Sequence, residues 1–584
     1  MDEVKQKRGF YSIEFQRINY KLLIMKFSLP FQANFLAFGG FVLYFILLFI
    51  LFPLQNAFIG NSDAIVHVAY FYEHWHELQH FISGKDFGSA YFPEAGIGAY
   101  METYFGETVF FFIGKLLTGS DVWAFFILYV AMYALNGWSV YLLSNYYSQH
   151  RWAAFVAGII FSSSCFMMST LELMNGVAFF CIPFSIYFLE RFIDEKKYRF
   201  LALSAFILSI ESLFSAYHFF MGSLVWLVLM VTRFKHVIQF DFKKLIAVVI
   251  PAVLVAIPLV LKILSSDIAT AYNPIQGEEN VYALFSMNLK SFMTSIPGNL
   301  IYPRPDEVEF AIKTSYRGNL GVICLLLFIF GISRKSLRRY TFLIILLVAT
   351  AVSFGPYTFI NGQKINLPTA FIYNSEFFGT FFRMPGRAFV ISNFIIALFC
   401  GIGFKAVLKW LHLKRASFVF AGLVVLLFTI ENQAIPPYIY QHKSLVNVPE
   451  EYDAIKGEQL ANIADFPSSL FTSTGYVNGI SEFTREYRYH YWQAKHQQNT
   501  INGSASYYPK TRMENNERMM KITEPNQLDA LIKINQLDYI VFHKELVLFE
   551  EELELEAFFR NSPQLKLKLD GERLVIFNVI DGSE

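Results

Sequence analysis

Cysteine is scarce in this 584-residue chain, which has four. All of them, Cys165, Cys181, Cys324 and Cys400, fall inside apolar segments. That placement excludes a disulfide framework and a thiolate zinc site, and it says little about redox compartment. A charge excess is missing too, because Lys and Arg against Asp and Glu leave a net +1. No basic surplus points to nucleic acid, so the local placement of the cations matters more than their sum. Gly-rich dinucleotide and Walker signatures are absent, which removes ATP and soluble nucleotides from the expected ligands. No tandem repeat or low-complexity tract occurs either.

Apolar residues are abundant: 54% hydrophobic and 18% aromatic. That is too apolar for a soluble protein, and the chain is far too long for a single span. It reads as a polytopic α-helical membrane protein. The N-terminal MDEVKQKRGFYSIEFQRINYKLLIMK is polar and basic for too long, and leads into too lengthy an apolar segment, to be a cleaved signal.

About eleven apolar runs are long enough, or nearly so, to cross a hydrocarbon core of roughly 20 residues. They are Phe31 to Phe52, Val122 to Tyr147, Trp152 to Ser169, Val177 to Phe192, Phe200 to Ser215, Phe219 to Thr232, Leu245 to Leu264, Leu320 to Ile332, Thr341 to Phe354, Ala388 to Val407 and Ser417 to Ile430. Lys and Arg gather on the cytoplasmic side of short loops. With the N-terminus inside, the basic loops Arg191 to Arg199, Arg233 to Lys244, Arg334 to Arg339 and Lys405 to Arg415 all fall on that side. The piece TVFFFIGKLL, Thr108 to Leu117, is short and carries Lys115, as a helix lying at the outer surface does. Three loops, at 53–121, 265–316 and 355–387, are then extracytoplasmic.

The composition changes after Asn432, where QAIPPYIYQHK leads into polar sequence. The expected division is a transmembrane domain over 1–432 and a small extracytoplasmic α/β domain over 433–584. Within the latter, NQLDALIKI from Asn526 reads as a helix and YIVF from Tyr539 as a strand. LKLKL-DGE-RLVIF from Leu565 reads as a hairpin turning at Asp570-Gly571.

The first outer loop concentrates chemistry. From Ser62 to Ile82 it has helical period, with Ile65, Val68, Tyr72, Trp75, Leu78 and Ile82 on one face and Asp63, His67, Tyr70, His74 and Glu77 on another. This predicts an amphipathic helix on the outer membrane surface. Asp63 stands in its first turn, where the helix dipole favours the carboxylate, so it suits accepting a proton or capping the helix. Arg383 and Arg387 in FFRMPGRAFV are spaced i, i+4 just before a span, on the side where basic residues are unexpected. Arginine forks fit phosphate oxygens, and headgroup snorkelling is the plainer use. Glu211 and His218 lie near a turn between two short spans and should face a polar cavity, because ionisable groups are costly in lipid, where they line a donor or acceptor site or simply pack inside the bundle against a backbone carbonyl. Tyr491, Trp492, His496 and Gln497 lie in a stretch of aromatic and amide side chains of the kind that holds sugars, or that packs an ordinary domain surface.

The arrangement resembles the GT-C class of integral membrane glycosyltransferases: a long first span, an outer loop with an early acid, surface helices, then further spans. It is similar in particular to bacterial YfhO-type proteins, in the order Asp63, Gly84-Lys85-Asp86, Gly96-Ile97-Gly98, FFRMPGRAFV and INQLDYIVF. The resemblance runs from Phe31 onward. It implies a GT-C-like fold in a bacterial cytoplasmic membrane, with the N-terminus inside and the C-terminal domain outside. Asp63 would be the general base for inverting transfer of a sugar from a polyprenyl-phosphate donor to an outer glycan, teichoic-type polymer, lipid or protein. The second acid of such enzymes would match Glu172.

A different enzyme is spelled by His76-Glu77-Leu78-Gln79-His80, a formal H-E-x-x-H that places two imidazoles one helical turn apart for zinc. Intramembrane metalloproteases pair that motif with an L-D-G segment in another span, whereas Leu569-Asp570-Gly571 here occupies the expected hairpin turn. A divalent metal on these histidines, catalytic or not, is the one cofactor the sequence offers. A transporter without chemistry is the third class, and the lack of matched halves counts against it.

Overall fold

The computed structural model describes residues 32–51, 63–84, 104–170, 174–233, 317–334, 338–360, 363–373, 384–413, 415–432, 447–456, 460–468, 480–503 and 510–580, with shorter pieces between them. Most of the described chain is helical. The first helix, α1 (Gln32–Leu51), is followed by α2 (Asp63–Ser83) and α3 (Phe105–Thr118). Then come α4 (Asp121–Ser148), α5 (Arg151–Ser162), α6 (Cys181–Glu195), α7 (Tyr198–Ile210) and α8 (Ala216–Val231). After the third loop region lie α9 (Gly321–Ile332), α10 (Arg339–Ser353), α11 (Phe389–Trp410) and α12 (Ser417–Asn432).

Among the described residues, four helices are long and apolar enough to cross a membrane: Gln32–Leu51, Asp121–Ser148, Arg151–Ser169 and Pro385–Trp410. The 28 residues of α4 extend about 42 Å at 1.5 Å per residue, more than the roughly 30 Å hydrocarbon core. Four more apolar helices are shorter, namely α8, α9, α10 and α12. Helices also stand at the expected positions of α6 and α7. Most of the expected span at Leu245 to Leu264 lies outside the described residues. Large apolar side chains such as Leu36, Leu51, Phe418 and Val419 face outward from α1 and α12, as the rim of a membrane-embedded bundle does.

In lipid, helices gain little from apolar burial against each other, so close packing and shared polar groups join them. Gly331 on α9 and Gly403 on α11 show the first device. A Cβ at Gly331 would come 2.0 Å from Phe399 O, and one at Gly403 would come 1.9 Å from Leu327 O. The two backbones touch where any larger residue would separate them. The second device joins α6 to α7, where Ser185 Oγ donates to Ser204 O and Ser204 Oγ to Ser185 O, both at 2.8 Å.

Residues beyond 447 form a five-stranded mixed sheet with helices on both faces. Its strands are β3 (Asn462–Phe466), β4 (Asn499–Thr500), β5 (Tyr539–His543), β6 (Leu565–Asp570) and β7 (Leu574–Val579), in the order β4-β3-β5-β7-β6. A separate small hairpin, β1 (Tyr357–Ile360) and β2 (Gln363–Asn366), lies in the 355–387 loop. In the large sheet β3 runs parallel to β4 and β5, and β7 is antiparallel to β5 and β6. The helix expected at NQLDALIKI, the strand at YIVF and the hairpin after Leu565 are all present. Side chains alternate across the sheet. Ala464, Phe466, Ile540 and Phe542 pack against helices α14 (Lys510–Met520), α15 (Pro525–Asn535) and α16 (Glu551–Asn561). Ile463, Val541 and Ile576 face α13 (Glu482–His496), in a core continuous with that of the membrane helices.

Candidate functional site at one end of the helical bundle

A group of buried ionisable side chains forms where α3, α6, α7 and α8 meet. Helix α7 ends at Ile210, and the short turn Glu211–Leu213 reverses the chain into α8. Ser215 caps α8 by accepting the His218 N–H at 3.2 Å, which fixes His218 in the first turn. The imidazole Nδ1 then lies 2.9 Å from Ala178 O and 3.5 Å from Glu211 Oε1. Glu211 and His218 are both fully buried. The Cys181 thiol, at the start of α6, neighbours Glu211 and also feels the Glu107 charge. Glu107 is buried in the first turn of α3, and that turn is held close because Gly106 packs directly on the Phe214 ring. The sequence offers Glu211 and His218 either as lining a polar cavity or as packed inside the bundle against a backbone carbonyl; the structure brings the two together and sets His218 on the Ala178 carbonyl. The sequence reading passed over Glu107 and Cys181, although Glu107 is the single acid of that mostly apolar helix.

Beside His218, Tyr217 carries the group toward the 355–387 loop. The Arg387 guanidinium lies 5.9 Å from the Tyr217 ring centroid, and Tyr217 Oη reaches Met384 O at 3.5 Å. Arg387 belongs to the turn Pro385–Ala388, anchored by the Gly386 N–H on Phe285 O at 2.8 Å, and is largely buried. Arg383 and Glu172 lie outside the described residues.

Asp63 is the first residue of α2, as the sequence predicts, and its side chain lies outside the described part. One turn further on, His67 Nε2 meets Tyr104 Oη at 3.2 Å, immediately before α3. The start of α2 and the start of α3 with Glu107 therefore lie together. The rest of α2 departs from the expectation of a helix with a solvated polar face. His67, Tyr70 and His74 are buried: His74 stacks on Phe105 with centroids 4.2 Å apart, and Tyr70 packs on His490 of α13. Period 3.6 shows which residues share a face, and it does not show what covers that face. Here Tyr104 and α3 cover His67 and His74 and α13 covers Tyr70, while Phe81 and Ile82 at the far end of α2, with Leu116 and Leu117 of α3, are left exposed.

The same covering buries Glu73. Its carboxyl is pushed up to about 8, first by burial and then by the neighbouring Glu77 charge, against the pull of the Ala90 N–H. His490 Nε2 lies 3.8 Å from it.

Of the residues expected to contact an acceptor, two fill the interior of the α/β unit. Trp492 is fully buried and stacks on His543 at 5.0 Å and 13°, and His496 stacks on Tyr452 at 4.3 Å. Burial drives His496 down to about 4. The other two turn toward the membrane helices: Tyr491 Oη donates to Asp121 Oδ2 at 3.1 Å, and the Gln497 amide is 3.4 Å from His76 Nε2. His76 is buried flat against Phe87, whereas His80 is exposed. Among the described residues no group of three or more His, Cys, Asp or Glu side chains could hold a metal ion. The H-E-x-x-H pattern thus has no described third ligand.

A family model described as "Domain of unknown function (DUF6311)" matches residues 108–429, more than half of the chain. The chain belongs to this DUF6311 family. No curated protein matches this DUF6311 member. Among solved structures, a mutant of the arabinofuranosyltransferase AftD from Mycobacteria matches with a TM-score of 0.54 at 12% identity, over 94% of this chain. The chain spans 41% of that structure's own length. An archaeal oligosaccharyltransferase, AglB from Archaeoglobus fulgidus, in complex with an inhibitory peptide and a dolichol-phosphate, matches at 0.46 and 12% identity. That match covers 90% of this chain and 72% of AglB. ArnT from Cupriavidus metallidurans, bound to undecaprenyl phosphate, matches at 0.46 and 10% identity, over 93% and 99% of the two chains. The DUF6311 member thus shares its fold with an arabinofuranosyltransferase.

Proposed function

We propose that this DUF6311 protein is a membrane glycosyltransferase of GT-C type, moving a sugar from a polyprenyl-phosphate donor to an extracytoplasmic acceptor. The observation that carries the reading is the buried set Glu107, Glu211 and His218, with Arg387 beside Tyr217, at one end of the helical bundle. Ionisable groups inside a membrane protein are expensive and mark substrate paths. The fold shared with an arabinofuranosyltransferase supports the same class of chemistry, while the site rather than the fold has to carry the function. The topology goes with the proposal: about eleven spans, the N-terminus inside, and the α/β unit over 433–584 outside a bacterial cytoplasmic membrane.

In this reaction Asp63 takes the proton of an acceptor hydroxyl. The freed oxygen attacks the anomeric carbon from the face opposite the phosphate, the carbon–oxygen bond to the phosphate breaks, and the configuration inverts. The polyprenyl phosphate leaves with the bonding electron pair, and Arg387 faces its charge. The donor class comes from the GT-C resemblance and the guanidinium at the outer end. The acceptor is a surface glycan, teichoic-type polymer, lipid or protein.

The test is transfer from labelled polyprenyl-phosphate sugars by membranes containing the chain. Asp63→Asn should lower the rate by roughly 10²- to 10⁴-fold, the usual worth of a general base. Full activity in Asp63→Asn would remove the base assignment. Zinc-dependent proteolysis lost in His76→Ala would replace the whole reading.

A further inference from the structure

Four elements converge on one carboxylate that the proposed chemistry does not use. Asp121 opens α4 and is nearly enclosed, with 9% of its side chain exposed. Tyr72 of α2 donates to Oδ1 at 2.8 Å, and Lys115 of α3 pairs with the same oxygen at 2.7 Å. From α13, Tyr491 donates to Oδ2 at 3.1 Å and Lys495 forms an ion pair with it. Lys495 also donates to Tyr72 Oη at 2.6 Å, with its ammonium 3.9 Å from the centre of that ring. The hydroxyl of Tyr72 is therefore held on both sides, accepting from Lys495 and donating to Asp121.

This node grips α2 at Tyr72. Tyr72 lies nine residues beyond Asp63, about 13.5 Å along a continuous helix. A helix fixed in rotation at Tyr72 and resting on Tyr104 through His67 has its first turn fixed as well. The bland alternative is a stability contact alone. One feature weighs against it. The contacts join α13, at the far end of the sequence, to the helix that begins with the proposed base.

We propose that Lys495 is a positioning residue for the transferase site, holding α2 through Tyr72 and Asp121 so that Asp63 meets the acceptor hydroxyl. The proposal rests on the transferase reading. Misplacing a reacting group by 1 Å costs up to about 10²-fold in rate without removing any substrate contact.

The experiment uses the full chain in lipid nanodiscs and compares wild type, Lys495→Met and Lys495→Arg. Lys495→Met should lower kcat about 10- to 100-fold with the donor KM unchanged, and Lys495→Arg should recover most of the loss. Spin labels at Gln79→Cys on α2 and Lys566→Cys on β6 report the clasp independently of activity. The distance distribution should be narrow in wild type and Lys495→Arg, and broadened or shifted in Lys495→Met. Unchanged kcat, a loss expressed in KM instead, or an unmoved distance distribution in Lys495→Met overturns the proposal. A wild-type chain that transfers no sugar overturns the transferase reading and this proposal with it, whereas a transferring wild type with an unaffected Lys495→Met overturns only the latter.

Discussion

Glu73 shows how much one side chain depends on what lies over it. In the sequence it is one acid in a helix already rich in polar groups, and its neighbour Glu77 is exposed in the structure. Under α13 its carboxyl is pushed up to about 8, chiefly by burial. A carboxyl raised in the fold contributes stability that is complete below its unfolded value, near 4.5, and is lost as pH rises through about 8. Glu73→Gln should therefore flatten the pH dependence and raise the thermal midpoint in detergent at pH 8, with little change at pH 4.5. A variant whose melting curves keep the wild-type slope against pH would show that Glu73 is not protonated in the fold. Glu431 is a second residue whose role only contacts disclose. Its carboxylate, at the end of α12, accepts the Val322 and Ile323 N–H groups at the start of α9. This is a cap supplied by another helix, favoured by the dipole. Glu431→Ala should cost about 1–2 kcal/mol, the usual worth of a lost cap, read from thermal unfolding, and Glu431→Gln should cost less.

Between elements, the arginines expected to mark cytoplasmic loops do more than report topology. Arg233, just past α8, and Arg338, just before α10, both pair with Glu190 of α6, with Arg338 Nη2 at 3.2 Å. Glu190 is fully buried and Arg233 nearly so. This joins three helices at the end opposite the proposed site. Removing one partner of such a cluster leaves uncompensated charge, typically about 3–5 kcal/mol. Glu190→Gln should accordingly lower the thermal midpoint well beyond any effect of an exposed pair such as Lys533–Asp529. Equal melting of Glu190→Gln and of Asp529→Asn, which breaks that exposed pair, would show that the cluster contributes no more than surface pairs do. Most elements were legible in the sequence because their signals are local. The 20-residue apolar runs gave the long helices, the short β-branched and aromatic run YIVF gave β5, and Asp570-Gly571 gave the hairpin of β6 and β7. The path of α13 over α2 was not legible, because Tyr491, Lys495 and Gln497 have aromatic and polar character equally suited to holding a sugar and to holding another helix.

For the whole molecule, the proposed orientation sets which surfaces meet which compartment. Lys566 on β6 and Lys197 before α7 are both exposed, and the topology puts them on opposite sides. In intact cells, a membrane-impermeant maleimide should label Lys566→Cys and spare Lys197→Cys until the membrane is permeabilised. The four native cysteines are buried, so background labelling should be small. Labelling in the reverse pattern would invert the topology and move Glu211, His218 and Arg387 to the cytoplasmic side.

The sequence by itself determined the membrane class, the places of most helices, the strands from Tyr539 onward and the nomination of Asp63, Arg387, Glu211 and His218. These follow from hydropathy, period and charge within a few turns of chain, and from a resemblance carried by short motifs in order. The tertiary structure decided that Glu107 and Cys181 join Glu211, and that Trp492 and His496 are interior. It also made the Asp121 carboxylate the junction of α2, α3, α4 and α13. The physical reason is separation along the chain. Lys495 and Asp121 lie 374 residues apart, and a contact of that kind leaves no periodic trace in either segment until folding brings the two together.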